Sequence, residues 1–437
     1  MESLIDATVS ECGKVRTRRY VTSGRRKRGR VAMKQIPEYA FKYLVRAPKG
    51  GSLPADFSEE VARRVERFHQ QLPGYRPTDL VRWSCLAEAW GVKDVFIKDE
   101  SARFNLKAFK VLGGTYAVAR LMCQKLGMSP DDTDFAYLAS DEARERIGQI
   151  TLTAATDGNH GRGIAWAAEQ LHQNAVIYMP KGAARARVEN IRSHGATVIV
   201  TDLNYDDAVR ECCRMAEENG WYVIQDTAWE GYTEIPLWIM QGYMTMCVEA
   251  VNQMALTGAR PTHVFVQVGV GALAGAVVGY LLNKFSNYPP RFITLEPNNA
   301  ACIFASATAA DGRPHAVTGD LNTIMAGLAC GEPNPIGWDI LRDFCFCYVS
   351  CDDFVAANGV RILANPLKGD TRVEAGASGA VGLGVLDLLC NNDKFGELKE
   401  ELAIGPDSTL LFFNTEGATN PENYREIVWH GKYPSLF

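Results

Sequence analysis

No two of the twelve cysteines stand in a CxxC pair, and the chain has only seven histidines. The one cysteine cluster, Cys345-x-Cys347-x3-Cys351, lies in strand-like sequence with no histidine beside it, so no metal site is expected. Scattered thiols of this kind default to the reduced state of a cytoplasmic chain. The first thirty residues hold no apolar stretch and so do not read as a secretory signal. Val264 to Leu282 has no charge, but β-branched residues fill its start, glycines break its middle and Gln267 lies inside. Strand, loop and buried helix are expected there, not a membrane span. Positive charge is also scarce overall, with 46 Lys/Arg against 51 Asp/Glu. Nine basic and three acidic residues fall within Met1–Arg30, giving +6, which leaves 37 against 48, or −11, for the rest. An acidic body argues against general nucleic-acid binding. Residues 1–34 are expected to form a basic, disordered extension. Organellar or nuclear targeting is the other reading of its arginines, and Glu2, Asp6 and Glu11 weaken the transit-peptide form of it.

What is present is an ordinary soluble composition, 47% hydrophobic and 22% charged, in a length that suits a subunit of two lobes. From Tyr75 onward, short β-branched runs alternate with helical patterns. The spacing predicts strands at Val95–Glu100, Ala175–Met179, Thr197–Thr201, Trp221–Gln225, His263–Val268, Arg291–Leu295 and Ser408–Phe413. Helices are expected at Arg162–His172, Ala184–His194, Asp206–Asn219 and Ala272–Leu282, and short helices or a polar insertion at Ser129–Gly148. Such alternation predicts an α/β fold, with parallel-core sheets covered by helices on both faces.

Three loops carry chemistry. Lys110 sits on an apolar turn, Arg103-Phe-Asn-Leu-Lys-Ala-Phe-Lys110, just before Gly113-Gly114. Burial disfavours a lysine's charged form, and the neutral amine is the nucleophile that forms an imine with an aldehyde. In Thr156-Asp-Gly-Asn-His-Gly161, Asn159 and His160 can hydrogen-bond a planar ring substituent or a carboxylate. In Val268-Gly-Val-Gly-Ala-Leu-Ala-Gly275, free N–H groups at a glycine-rich helix start suit a phosphate. Each has a plain structural alternative: a snorkelling surface lysine, a helix cap, a tight strand–helix turn. Together an imine-forming lysine, a ring-binding loop and a phosphate cup describe pyridoxal 5′-phosphate (PLP).

With these motifs the chain resembles the fold-type II PLP enzymes, the tryptophan synthase β and threonine dehydratase superfamily. Within them it is similar to the diaminopropionate ammonia-lyases. Further motifs that carry the likeness are Lys98-Asp-Glu-Ser101, Val176-Ile-Tyr-Met-Pro-Lys-Gly182, Gln225-Asp-Thr-Ala-Trp-Glu-Gly-Tyr232, Trp238-Ile-Met-Gln-Gly-Tyr243, Ile324-Met-Ala-Gly-Leu-Ala-Cys-Gly-Glu-Pro-Asn-Pro335 and Ser378-Gly-Ala-Val-Gly382. The resemblance implies a two-lobed enzyme, with 35–112 and 233–437 as a larger PLP-binding lobe. Residues 113–232 would form a smaller lobe that closes over it. It also implies a homodimer and a small amino-acid substrate, 2,3-diaminopropionate, eliminated to pyruvate and two ammonia.

The same resemblance assigns residues. Lys110 would hold PLP as an imine and Asn159 would meet its ring oxygen. Gly269, Val270, Gly271, Ala272 and Leu273 would cup the phosphate, and Thr415 would face the ring nitrogen. Asp157 would be the base for the D-enantiomer and Asp226 for the L-enantiomer, with Thr156, Asp157, His160 and Ser378 around the substrate. A carboxylate beside a β-ammonium also favours binding it. The structural alternatives are a helix cap for Asp157 and a cap of the Thr227–Tyr232 turn for Asp226. Members of the family often read Gly-Leu-Asn-Ala-Phe-Lys, so Lys107 is a departure that offers a second amine near the cofactor. Gly376-Ala377-Ser378 departs from the usual Gly-Glu-Ser. The rival functions are a serine/threonine dehydratase of the same superfamily, which would expel hydroxide, and a non-catalytic PLP-binding regulatory protein.

Overall fold

The structure, a computed structural model, describes residues 33–435. The expectation of a disordered basic extension therefore lies outside the described residues, except that Lys34 already begins the first strand. Among the described residues twelve strands form two sheets. The larger contains β1 (Lys34–Ile36), β2 (Phe41–Val45), β3 (Leu80–Arg82), β4 (Asp94–Asp99), β9 (His263–Gln267), β10 (Arg291–Pro297), β11 (Cys347–Cys351) and β12 (Thr409–Asn414). Its order is β1-β2-β11-β10-β9-β12-β4-β3. The smaller contains β5 (Thr151–Ala155), β6 (Asn174–Met179), β7 (Thr197–Val200) and β8 (Tyr222–Val223), in the order β7-β6-β5-β8.

Both sheets have the expected parallel core. The five central strands of the larger one, β11 to β4, run parallel, as do all four of the smaller. β1, β2 and β3 add antiparallel edges that no hydrophobic period announced. The central strands are buried along their length, as a sheet covered on both faces requires. Phe265 and Phe412 stack at 4.8 Å across the adjacent β9 and β12.

The segment Ser129–Gly148 forms short helices, as expected. The helix Asn159–Gln170 starts three residues before the expected Arg162. β8 is shorter than expected, because the Tyr232 hydroxyl accepts from Gln225 N (2.8 Å) and donates to Val223 O (2.9 Å) where a strand partner would bond. Among the described residues no helix is long and apolar enough to cross a membrane. No described group of His, Cys, Asp and Glu could hold a metal ion.

The helix Lys110–Leu126 is clasped by close contacts at its first turns. A Cβ at Gly113 would lie 2.8 Å from Ile239 O, and one at Gly242 would lie 2.5 Å from Leu112 O. The Gly-Gly pair after Lys110 therefore serves helix packing rather than approach to a ligand.

Candidate active site

All the predicted site loops lie at the carboxyl ends of parallel strands, the usual place for ligands in open α/β sheets, except that Ser378 sits in the first turn of the helix Ala377–Asn391, which follows no strand. Together they line one cavity of about 620 Å³. β4 leads to the Lys110 turn, β5 to Thr156 and Asp157, β8 to Asp226, β9 to Gly269 and β12 to Thr415. Two of these turns are zipped by their backbones. Phe109 N donates to Thr415 O (3.1 Å) and Gly417 N to Lys107 O (2.9 Å). Upstream of Lys110, a buried cluster fixes the chain: Glu249 accepts from Lys98 Nζ (2.7 Å) and Arg103 Nη2 (2.7 Å), while Arg103 Nε also reaches Glu100 (2.8 Å).

Lys110 is the first residue of its helix, and its amine donates to Asp226. Burial works to lower the ammonium's pKa, but the Asp226 carboxylate outweighs it and raises the pKa above the usual lysine range. Burial likewise pushes Asp226 up, and the Lys110 ammonium more than offsets it, so the carboxylate is held low. Asp226 thus faces the cavity and does not cap the turn after it. Lys107 points elsewhere: its amine is half-exposed and 3.4 Å from Glu374. Of the two amines only Lys110 enters the cavity.

Asp157 is not a helix cap either. The helix start is Gly158-Asn159, and Thr156 Oγ1 takes the N–H groups of Gly158 (2.9 Å) and Gly161 (3.1 Å). Asp157 instead accepts from Arg187. Asn159 Nδ2 donates to Glu416 Oε2 (2.6 Å). His160 Nε2 bonds Ile224 O (2.6 Å), and burial lowers its pKa, so the ring is neutral with Nδ1 as an unfilled acceptor. Ser378 Oγ accepts from Gly327 N (3.1 Å), which pins a neighbouring loop of the cavity wall.

The glycine loop is shaped for an anion. Gly271 has φ +103° and starts the helix Ala272–Lys284. Among the described residues no acceptor takes the N–H groups of Gly269 to Leu273. A Cβ at Gly269 would lie 3.2 Å from Gly327 O, a tight contact that the neighbouring loop would have to give a few tenths of an ångström to admit. Free donors at a helix start, a partly buried amine at Lys110 and a buried hydroxyl at Thr415, all on one cavity, fit PLP.

Residues 71–407 match the family described as pyridoxal-phosphate dependent enzyme. The chain is 51% identical over 378 residues to the diaminopropionate ammonia-lyase of Escherichia coli K12, covering 86% of this chain and 93% of that one. It is 48% identical over 402 residues to the Salmonella typhimurium diaminopropionate ammonia-lyase, covering 92% and 100%. A crystal structure of the Escherichia coli enzyme in complex with an aminoacrylate-PLP azomethine reaction intermediate superposes with a TM-score of 0.83 at 48% identity, covering 90% of this chain and 98% of that one. The chain belongs to the diaminopropionate ammonia-lyases.

As a diaminopropionate ammonia-lyase it is a PLP-dependent carbon–nitrogen lyase of fold type II. Sequence reasoning missed three residues that the fold brings to this lyase's site. Arg187 holds Asp157 from thirty positions away. Glu416 reaches Asn159 and fills the space at Gly376, where a Cβ would lie 2.5 Å from its Oε1. This supplies an acidic group beside the block where Ala377 departs from the family pattern. Gln267 reaches Thr415 from β9. Only Glu416, adjacent to Thr415, carried a local signal.

Proposed function

We propose that this chain eliminates ammonia from both enantiomers of 2,3-diaminopropionate, using Asp157 for the D form and Asp226 for the L form. The observation that carries the reading is two carboxylates on one cavity with Lys110. When bound, PLP supplies an electron sink that acidifies the Cα–H of the amino acid joined to it. The protein's own residues do the rest. Lys110 would hold the cofactor, the N–H groups of Gly269–Leu273 would hold its phosphate, and Thr415 would face its ring nitrogen. The Lys110 amine beside Asp226 holds that carboxyl ionised, the form in which it can take a proton. Asp157 approaches from a different strand end, which suits removal of a proton of opposite configuration. Either carboxylate also attracts the substrate's β-ammonium. Loss of that group as ammonia, followed by addition of water and loss of the α-nitrogen, gives pyruvate and a second ammonia.

Closure of a smaller lobe, 113–232, over 35–112 and 233–437 would exclude water from the unsaturated product before release. The same reading includes a homodimer, for which exposed Leu256 and Tyr288 offer apolar surface, and a cytoplasmic location, favoured by eleven unpaired cysteines among the described residues.

Pyruvate release from D- and L-diaminopropionate and from serine, by the native protein and by Asp157→Asn and Asp226→Asn, tests the proposal. Each variant should lose ~10²–10⁴ in rate with its own enantiomer. Equal losses with both enantiomers in each variant would overturn the division of labour, and faster turnover of serine would point to a dehydratase.

A further inference from the structure

We infer that Gln267 aims the Thr415 hydroxyl proton into the cavity, toward the cofactor's ring nitrogen, and is a positioning residue of this site. The inference rests on the reading that Thr415 faces that nitrogen. Gln267 closes β9, and its side chain crosses to the end of the neighbouring β12. Its amide nitrogen lies 2.9 Å from Phe413 O and 2.7 Å from Thr415 Oγ1. A backbone carbonyl can only accept, so the amide end between these two atoms must be the NH₂ group. One hydrogen goes to Phe413 O, and the other goes to Thr415 Oγ1.

The hydroxyl is thereby an acceptor on its Gln267 side. It has one proton, and that proton must leave in another direction. Both residues are buried yet line the cavity, so the open direction is the cavity itself. The backbone of Thr415 cannot rotate away, because its carbonyl accepts from Phe109 N (3.1 Å), next to Lys110. A hydroxyl that donates to a ring nitrogen requires that nitrogen to be unprotonated. Gln267 therefore selects the neutral pyridine form through a bond that never touches the ring. A carboxylate at 267 would reverse the polarity: it would accept the Thr415 proton and leave an oxygen lone pair toward the ring.

The test uses full-length protein stripped of cofactor and reloaded, with two readouts: the dissociation constant for PLP and the visible absorption band of the loaded protein. Gln267→Met and Gln267→Glu are made alone and combined with Thr415→Val, and thermal midpoints serve as the folding control. Gln267→Met should weaken PLP about threefold to tenfold, within the worth of one hydrogen bond, and Gln267→Glu should weaken it more and shift the band. Combined with Thr415→Val, neither substitution at 267 should add more than about twofold, as coupled residues require. If both changes at 267 act equally with and without Thr415, the positioning role is wrong while the Thr415 reading stands. If Thr415→Val alone leaves affinity and band unchanged, the Thr415 reading fails and the inference falls with it. Should Gln267→Glu fail to fold, Gln267→Met with its combined variant decides.

Discussion

Arg187 Nη1 binds Asp157 twice, at 2.9 Å to the carboxylate Oδ2 and at 3.1 Å to the backbone oxygen. Its stem lies across Gly158, where a Cβ would sit 2.9 Å from Arg187 Cδ. The arginine holds one carboxylate oxygen of Asp157, a residue that lines the cavity, and among the described residues the other oxygen has no hydrogen-bond partner. Arg187→Met keeps the stem and removes the fork. Turnover of D-diaminopropionate should fall by ~10–100-fold, the usual cost of losing orientation, while the L form changes far less. The ratio of initial pyruvate rates for the two enantiomers checks this. An unchanged ratio would show that Asp157 needs no such clamp, and Arg187→Lys should restore part of the loss.

The turn before the reactive lysine is conformationally costly. Phe104, Asn105 and Lys107 have φ of 49°, 60° and 59°, in the left-handed region. Asn accepts that region readily, whereas Lys does not. The Lys107–Glu374 contact is half-exposed and contributes little in return. Lys107→Gly should raise stability by roughly 0.5 kcal/mol and leave borohydride labelling by PLP at position 110 intact. Lys110→Ala should abolish both the label and the visible band. Labelling that survives Lys110→Ala and disappears with Lys107→Gly would assign the wrong amine.

The parallel strands and the loops after them were legible because each is local: a β-branched run, then glycine or a polar residue, then a helical period. That pattern placed the loops at one end of the sheets, and the resemblance to the family picked Asp157, Asp226 and Thr415 on them. What holds them was not legible. Arg187 and Asp157 are thirty positions apart, and Glu416 meets Asn159 across the two sheets. Neither pair leaves a pattern in a window of sequence. β1 and β3 are three residues each, too short for a period of two to show. The shortening of β8 depends on one hydroxyl, Tyr232, which satisfies the backbone that a longer strand would have paired.

Glu249 anchors the start of the lysine turn, because it neutralises two buried cations at once. Burial pushes its carboxyl up, but Arg103 and Lys98 pull it down to about 2. Glu249→Gln would keep the shape and leave Lys98 and Arg103 short of negative charge in the interior. The expected loss is ~3–5 kcal/mol, read as a lower denaturant midpoint. Lys98→Met combined with Glu249→Met should cost less than Glu249→Met alone, since the second change removes a stranded charge. A simple sum of the two effects would show that the cluster is not coupled.

His69 gives the fold a dependence on pH near neutrality. Its Nε2 bonds Leu112 O (2.9 Å) in the lysine helix, and its Nδ1 bonds the Thr245 hydroxyl (2.6 Å). Leu112 O only accepts, so Nε2 carries the proton and Nδ1 receives one from Thr245. Burial pushes the ring's pKa down from 6.5 to about 3. Above 6.5 neither the folded nor the unfolded ring is protonated. Below it the unfolded chain binds a proton that the folded chain refuses, so stability is lost as pH falls from 6.5 toward 3. One proton corresponds to a slope of about 1.4 kcal/mol per pH unit. The carboxylates held low, Glu249 and Asp226, start from ordinary values of 4.5 and 3.8 and so enter only in the lower part of that range. Urea midpoints between about pH 6.5 and 5 should therefore fall more steeply for the native protein than for His69→Gln, and parallel slopes would remove His69 as the cause.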